Sequence, residues 1–473
     1  MRRWVFLFIL LTSCARDAID PLSLAPSTPY ASWSPLKGNT LISSRYCRTV
    51  VPPAFDTSEL SLAQLIDIGL QNNPSTRETW AQARAASSQY GQSLSGFYPA
   101  ASVNTTYFRQ KGTFISTTAP QPYFYTQGGP DLLISYTLFD FGQRTAAAMA
   151  AREALYYADF THNQNIQTVM QTVMDDYYNY LYQMAVLRAN EANLINAQSS
   201  LDAANEKFSL GIAALGDVAQ ARTQYLQSKI NLTTQKQNVE NAFAQLAVDI
   251  GLPANLTFKV QPMPEQIVAD PMLESVDALV ARAQEYRPDF LAAQADLRSK
   301  EASLVGAKRA VLPVFSTALE TGHYWFQQGF EETFFHWSAS ISVSMPLFQG
   351  FYYKNGIREA EANVDLSKAE LLQTELSIVQ NVTTAHMGVK TAALNLIDSE
   401  EYLKAAELEF NIALTSYKAG TSTLLDVMSA QSSLADARSK KAGSQKDWFT
   451  SLAAIAYATG SLCTGPEDIC ESY

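Results

Sequence analysis

The chain is written twice. Asn73-Pro74 and Arg287-Pro288, Arg84 and Arg298, and Pro99 and Pro313 match at an offset of 214 residues. From Leu138-Phe139 and Leu347-Phe348 onward the offset is 209, and it holds for Phe208 and Tyr417, Gly211 and Gly420, Asp217 and Asp426, and Gly251 and Gly460. A solenoid repeat is about 20 to 50 residues long, so copies of this size must each be a complete structural module. The two modules are expected side by side about a pseudo-two-fold axis. The offset changes between Pro99 and Leu138, which predicts one loop of different length there.

Inside each copy the apolar period changes in a fixed order. Helical patterning runs to Pro99 or Pro313 and then gives way to strict alternation. Trp337, Ala339, Ile341, Val343 and Met345 share one face, with Ser338, Ser340, Ser342 and Ser344 on the other. The first copy puts Leu132, Ile134, Tyr136 and Leu138 on the equivalent face, opposite Ser135 and Thr137. The strands before these are less regular: Val103, Thr105, Tyr107 and Phe315, Thr317, Leu319. A strand of about nine residues covers roughly 30 Å, enough for a tilted bilayer crossing with an apolar outer wall and a polar inner one. Alternation alone suits a soluble hairpin with one wet face equally well.

The two ends and the composition narrow the setting. Arg2-Arg3, the apolar run Trp4 to Leu11, and Leu11-Thr12-Ser13-Cys14 read as a signal peptide over residues 1–13. The Leu-x-Ser-Cys ending resembles the bacterial lipobox, which implies a covalent lipid on Cys14 and, with Ala15 following, the outer membrane. No other stretch reaches the roughly 18 to 20 apolar residues of a transmembrane helix, so any membrane crossing is expected to be β-barrel. A net charge of −11 argues against nucleic acid as a partner. Cys47, Cys463 and Cys470 remain, and their spacing leaves the pairing open.

A proline-rich extended arm is expected over residues 14–58. The first copy occupies 59–253, with a strand hairpin at about 100–139, a long helix over 142–210 and a return helix over 217–249. A linker at 254–272 leads to the second copy, 273–460, with a hairpin at about 314–346, a long helix over 351–419 and a return helix over 426–459; a tail at 461–473 ends the chain. At about 1.5 Å per residue each long helix would measure roughly 100 Å. Val173, Tyr180, Leu187, Leu194, Leu201 and Phe208 recur at every seventh position, and Val382, Val389, Leu396, Leu403, Phe410 and Tyr417 do the same in the second copy. Small residues three positions on, such as Ala392, Ser399 and Ala406, let neighbouring helices approach, so these stripes predict coiled-coil core. The return helices carry seams of their own: Val218, Tyr225, Leu232, Val239, Leu246, and Val427, Leu434, Lys441, Trp448, Ile455.

At this level the chain resembles the TolC-like outer-membrane efflux family. Tyr417-x-x-Gly420, Asp426-Val427 and Ala430-Gln431, with Phe208-x-x-Gly211, Asp217-Val218 and Ala221, are similar to that family's helix-turn-helix tips. Leu138-Phe139-Asp140-Phe141-Gly142 and Pro346-Leu347-Phe348-Gln349-Gly350 are similar to its strand-to-helix junctions. The resemblance implies a mixed architecture, a membrane β-barrel above a long α-helical coiled-coil barrel, with two tandem repeats per chain. A homotrimer would then make one twelve-stranded barrel and a periplasmic helical tunnel. Open strand edges in lipid ask for such closure on physical grounds too.

The expected function is a passive outer-membrane exit duct, opened at its periplasmic tip by a periplasmic adaptor and an inner-membrane pump. Asp217 and Asp426 are the gate candidates, six carboxylates in a trimer; Gly211 and Gly420 suit helix C-caps, each Asp also suits an N-cap because it precedes a new helix, and Asp217-x-x-Gln220 resembles a capping box. The second acid often found one turn later in the family is replaced by Gln220 and Ser429, which weakens an acid-ring gate. Gly211, Gly420, Leu215 and Leu425 are the tip and adaptor-contact candidates, in segments read as small or polar. The alternative is a lipid-anchored periplasmic scaffold without a pore, which would have no need of four membrane-length strands. His162, His323, His336 and His386 are scattered, with the middle two expected at strand ends or loops, so no metal site, cofactor or catalytic residue is predicted.

Overall fold

The computed structural model describes residues 25, 26, 28–31, 33, 59–115, 120–262, 274–327 and 331–463. The signal peptide, Cys14, most of the arm, Cys47, Cys470 and most of the linker lie outside the described residues, as does the side chain of Cys463, and the cysteine pairing with them.

The helical starts follow from their caps. Ser61 opens α1 (Leu62–Asn72) with a capping box, its Oγ accepting from the Gln64 N–H while the Gln64 side chain accepts from the Ser61 N–H. The repeated X-Pro pairs then earn their place in both copies. Asn73 and Arg287 are extended, with ψ of 126° and 123°, as a residue before proline must be. Pro74 and Pro288 occupy the first helical positions of α2 (Pro74–Leu94) and α6 (Pro288–Arg309), where a missing N–H costs nothing. The remaining elements are β1 (Ala100–Ile115), β2 (Pro120–Phe139), α3 (Gln143–Ser209), α4 (Leu215–Asp249), α5 (Val276–Tyr286), β3 (Val314–Gln327), β4 (Glu331–Ser344), α7 (Tyr352–Ala419) and α8 (Leu424–Ala458). The order helix, helix, hairpin, long helix, return helix thus occurs once in each half of the chain.

The chain forms two compact units. One gathers Ala83–Ala158 and Ala292–Leu372 and holds a four-stranded antiparallel sheet in the order β1-β2-β3-β4. The strands hold 16, 20, 14 and 14 residues, well beyond the nine or so that a crossing needs. The extra length of the first hairpin lies mainly in its strands, correcting the expectation of a longer loop. Each hairpin passes into its long helix through two successive left-handed residues, Phe141 (φ 52°) and Gly142 (φ 84°) in the first copy, Gly350 (φ 56°) and Phe351 (φ 65°) in the second. The glycine and the phenylalanine exchange places between copies. At the first junction the Asp140 carboxylate accepts from the Gly142 and Arg144 N–H groups, at 3.1 and 2.8 Å, which ties down the turn.

The other unit includes Asp159–Leu291 and Gln373 onward, with the chain from Pro26 to Gln82. Its core has three parts, two of them near the helix pairs that begin each copy: Leu65, Val173, Tyr177, Leu246 and Ile250 in one, Leu279, Ile378, Val382, Val389, Trp448 and Ile455 in the other. The two predicted seams are buried unequally. In α7, Val382, Val389, Leu396, Phe410 and Tyr417 are buried; in α3 only Val173 is, while Tyr180, Leu187, Leu194 and Leu201 are half-buried and Phe208 is exposed. No helix among the described residues is long and apolar enough to cross a membrane.

Candidate functional site

The third part of the core joins the two helical hairpins at their tips. Ala203, Ala204, Ala221, Phe410, Tyr417, Leu424, Val427, Ala430 and Leu434 pack into one cluster drawn from α3, α4, α7 and α8. Small residues on α3 face large ones on α7, so the helices interlock at close range. Gln431 is buried here, with its Nε2 3.5 Å from the Asn193 carbonyl, and the Arg438 Nη1 donates to the Asn193 side chain at 2.9 Å.

Both long helices end alike. Gly211 (φ 72°) and Gly420 (φ 84°) take the left-handed position just past the helix. Ile212 N–H donates to the Lys207 carbonyl and Thr421 N–H to the Ser416 carbonyl, each at 2.9 Å, while each glycine N–H donates three residues back at 3.0 Å. This pair of bonds satisfies carbonyls that the helix end leaves free. No atom lies within 4 Å of where a Cβ would stand on either glycine, so the backbone angle alone calls for glycine.

Both return helices begin two residues earlier than expected, at equivalent positions, but they are capped unequally. Their N-caps are Ala214 and Thr423, which places Asp217 and Asp426 in the first turn rather than at the cap. The capping box read at Asp217-x-x-Gln220 is therefore absent. At the second tip the Thr423 hydroxyl accepts from the Asp426 N–H, and the Asp426 Oδ2 accepts from the Thr423 N–H at 2.9 Å and from the Thr423 and Ser422 hydroxyls at 2.8 Å. Those donors, the Thr423 N–H foremost, hold its carboxyl below the usual range. At the first tip Ala214 has no side chain to offer, and no hydrogen bond or ion pair reaches the Asp217 carboxylate among the described residues.

Asp217 has a different neighbour. Tyr417 is buried in the tip cluster, its hydroxyl without a hydrogen-bond partner among the described residues, and Lys207 Nζ sits 4.2 Å from its ring centroid. Burial first, then the charge of Asp217, pushes the phenol up. Phe208 occupies the matching place in the first copy, so only one copy carries a hydroxyl here. The sequence marked Tyr417 as seam alone and passed over Lys207; that Phe-to-Tyr difference was the available signal.

The tip surfaces differ too. Leu215 and Leu425 are exposed, at 66% and 65%, but the first tip adds Leu210, Ile212 and Phe208, also exposed. The reading of both tips as small or polar is corrected for the first, where Ile212 and Leu215 form an apolar point. The histidines also move. His323 and His336 lie inside β3 and β4, not in loops. His162 is fully buried, its Nδ1 2.9 Å from the Thr79 hydroxyl, and burial pushes it down to about 4. Among the described residues no group of His, Cys, Asp or Glu is placed to hold a metal ion.

Comparison with known proteins sets this arrangement in a family. The profile of the outer membrane efflux protein family matches residues 65–252 and again 279–461. Protein CyaE of Bordetella pertussis is 26% identical over 417 residues, covering 87% of this chain and 86% of that protein. The outer membrane protein TolC of Escherichia coli is 21% identical over 425 residues, covering 85% and 82%, and the pyoverdine export outer membrane protein OpmQ of Pseudomonas putida is 24% identical over 475 residues, covering 96% of each. Among solved structures, the outer-membrane channel OprN superposes with a TM-score of 0.76 at 18% identity over 91% of this chain and 99% of that one. The outer membrane protein VceC of Vibrio cholerae does so with 0.73 at 19%, over 84% and 96%. The chain belongs to the outer membrane efflux protein family, and its place is the outer-membrane end of an efflux or secretion pathway.

Proposed function

We propose that three copies of this chain form a passive exit duct, in which twelve strands close a barrel in the outer membrane and six helical hairpins form a tunnel beneath it. The observation that carries this reading is the sheet. Its odd face, so named for the residues of β1, β3 and β4 and made of even-numbered residues in β2, bears Val103, Tyr107, Trp337, Ile341 and Val343, all exposed and apolar, as a lipid-facing wall requires. β1 and β4 are its two edges, and an unpaired edge in hydrocarbon is costly enough that only closure by further strands satisfies it. The half-open seam of α3 and the exposed Met387, Leu394, Leu408 and Ile412 of α7 offer apolar surface for neighbouring helices. A pore-free scaffold has no use for such a sheet.

Asp217 and Asp426 are the gate acids in this reading, and the exposed Leu215 and Leu425 beside Gly211 and Gly420 are the surface for a periplasmic adaptor linked to an inner-membrane pump. A lipid on Cys14 anchors the arm. The test is the purified protein in detergent and in planar bilayers. A heat-sensitive species of three chains with measurable conductance is expected, and a monomer without conductance would return the scaffold reading.

A further inference from the structure

The even face of the sheet, opposite the lipid-facing wall, changes character along its length. Near the helices it is lined by serine: Ser338, Ser340, Ser342 and Ser344 on β4, with Ser316 Oγ and Ser342 Oγ 2.9 Å apart. Near the loop end it is aromatic, with Phe108, Phe326 and Phe334. Between these lies one charged level. Asn104 pairs with Asp131, Asp131 with Gly322, and Gly322 with His336, so a single row crosses all four strands. Glu320 and Tyr324 flank Gly322 on the same face of β3.

The row is a connected set. Asn104 Nδ2 donates to Asp131 Oδ2 at 3.2 Å, and Tyr324 donates to Glu320 Oε1 at 3.5 Å. His336 Nε2 stands 3.4 Å from Glu320 Oε1, and its ring stacks on Tyr324 with centroids 4.6 Å apart. A Cβ on Gly322 would meet the Pro130 carbonyl at 2.8 Å and the Asp131 Cβ at 3.1 Å, so glycine lets β2 and β3 come together here. The charged and titratable groups facing His336 are Glu320 and Tyr324 from β3, Asp131 from β2 and Glu332 from its own strand; β1 contributes the neutral Asn104.

We infer that Asp131 and Glu320, with His336 set beside Glu320, form a charge-selective belt in the barrel wall, separate from the tip acids, which favours cations in transit. This rests on the channel reading above, which makes the even face the lumen. Carboxylates on a low-dielectric wall focus a negative potential into a narrow passage. Every further copy would repeat them at the same level.

The experiment is reversal potential across planar bilayers of neutral lipid, using the full-length oligomer in a potassium chloride gradient. The wild type is expected to prefer potassium, and Glu320→Gln, half-exposed and still able to accept a hydrogen bond, to lower the permeability ratio about twofold. An unselective wild type or a ratio unchanged in Glu320→Gln would overturn the belt. A wild type with no conductance at all would instead remove the channel reading, and the belt with it.

Discussion

Asp159 is the residue whose surroundings least suit it. It is fully buried, and neither carboxylate oxygen has a hydrogen-bond partner among the described residues. Burial pushes its carboxyl up to about 8, so it is folded in its neutral form at pH 7. The folded chain then holds a proton that the unfolded chain releases above about pH 4, and stability falls as pH rises from there to about 8, by a few kcal/mol at most. Asp159→Asn should flatten this slope. Thermal midpoints of wild type and variant at pH 5 and pH 8 measure it, and an equal pH response in both would show that Asp159 is paired in solution. Neighbouring groups on the same helix behave alike: burial and then Asp249 push Asp176 up. None of this was legible in the sequence, because an aspartate in a long helix reads as a solvated face until its neighbours are known. Gly211 and Gly420 are the opposite case, since the need for a left-handed backbone past a helix end is local and shows in the residue type itself.

Among the elements, the two return helices show how near-identical sequence patterns fold to unequal ends. Thr423 closes a capping box with Asp426, while Ala214 caps nothing. Ala214 already has the extended backbone of an N-cap, with φ −80° and ψ 154°. Ala214→Ser should therefore stabilise the first hairpin by about 1 kcal/mol, and Thr423→Ala should cost the second a similar amount. Hydrogen exchange of the α4 and α8 first turns reads both; no added protection in Ala214→Ser would mean that something other than the missing cap controls this end. Sequence reading placed both helix starts two residues late because an Asp at the third helical position and an Asp at the cap look the same without the preceding bonds. The heptad stripes, by contrast, gave the right helices and, Phe208 excepted, residues that are buried or half-buried. They could not give the depth of burial, since Leu187 and Leu396 are equivalent in pattern and only the second is closed off within the chain.

For the molecule as a whole, the proposed gate role of the tip acids is open to direct test. Asp217 lies within electrostatic reach of Tyr417, and Asp426 is held by Ser422 and Thr423, so replacing both should loosen the tips and remove negative charge from the opening. Asp217→Ala with Asp426→Ala is expected to raise open probability and lower cation preference in single-channel records, and unchanged gating together with unchanged selectivity would remove the acids from the gate. The sequence by itself determined the duplication, the order of elements, the strand faces and the helix lengths, because periodicity, proline and glycine act through nearby bonds. Only the tertiary structure decided which buried groups lack partners, that Tyr417 meets Lys207 and Asp217 across two hairpins, and that Asn104, Asp131, Gly322 and His336 share one level of the sheet. Those depend on strand register and helix packing between residues up to hundreds of positions apart, and no local pattern in the chain encodes them.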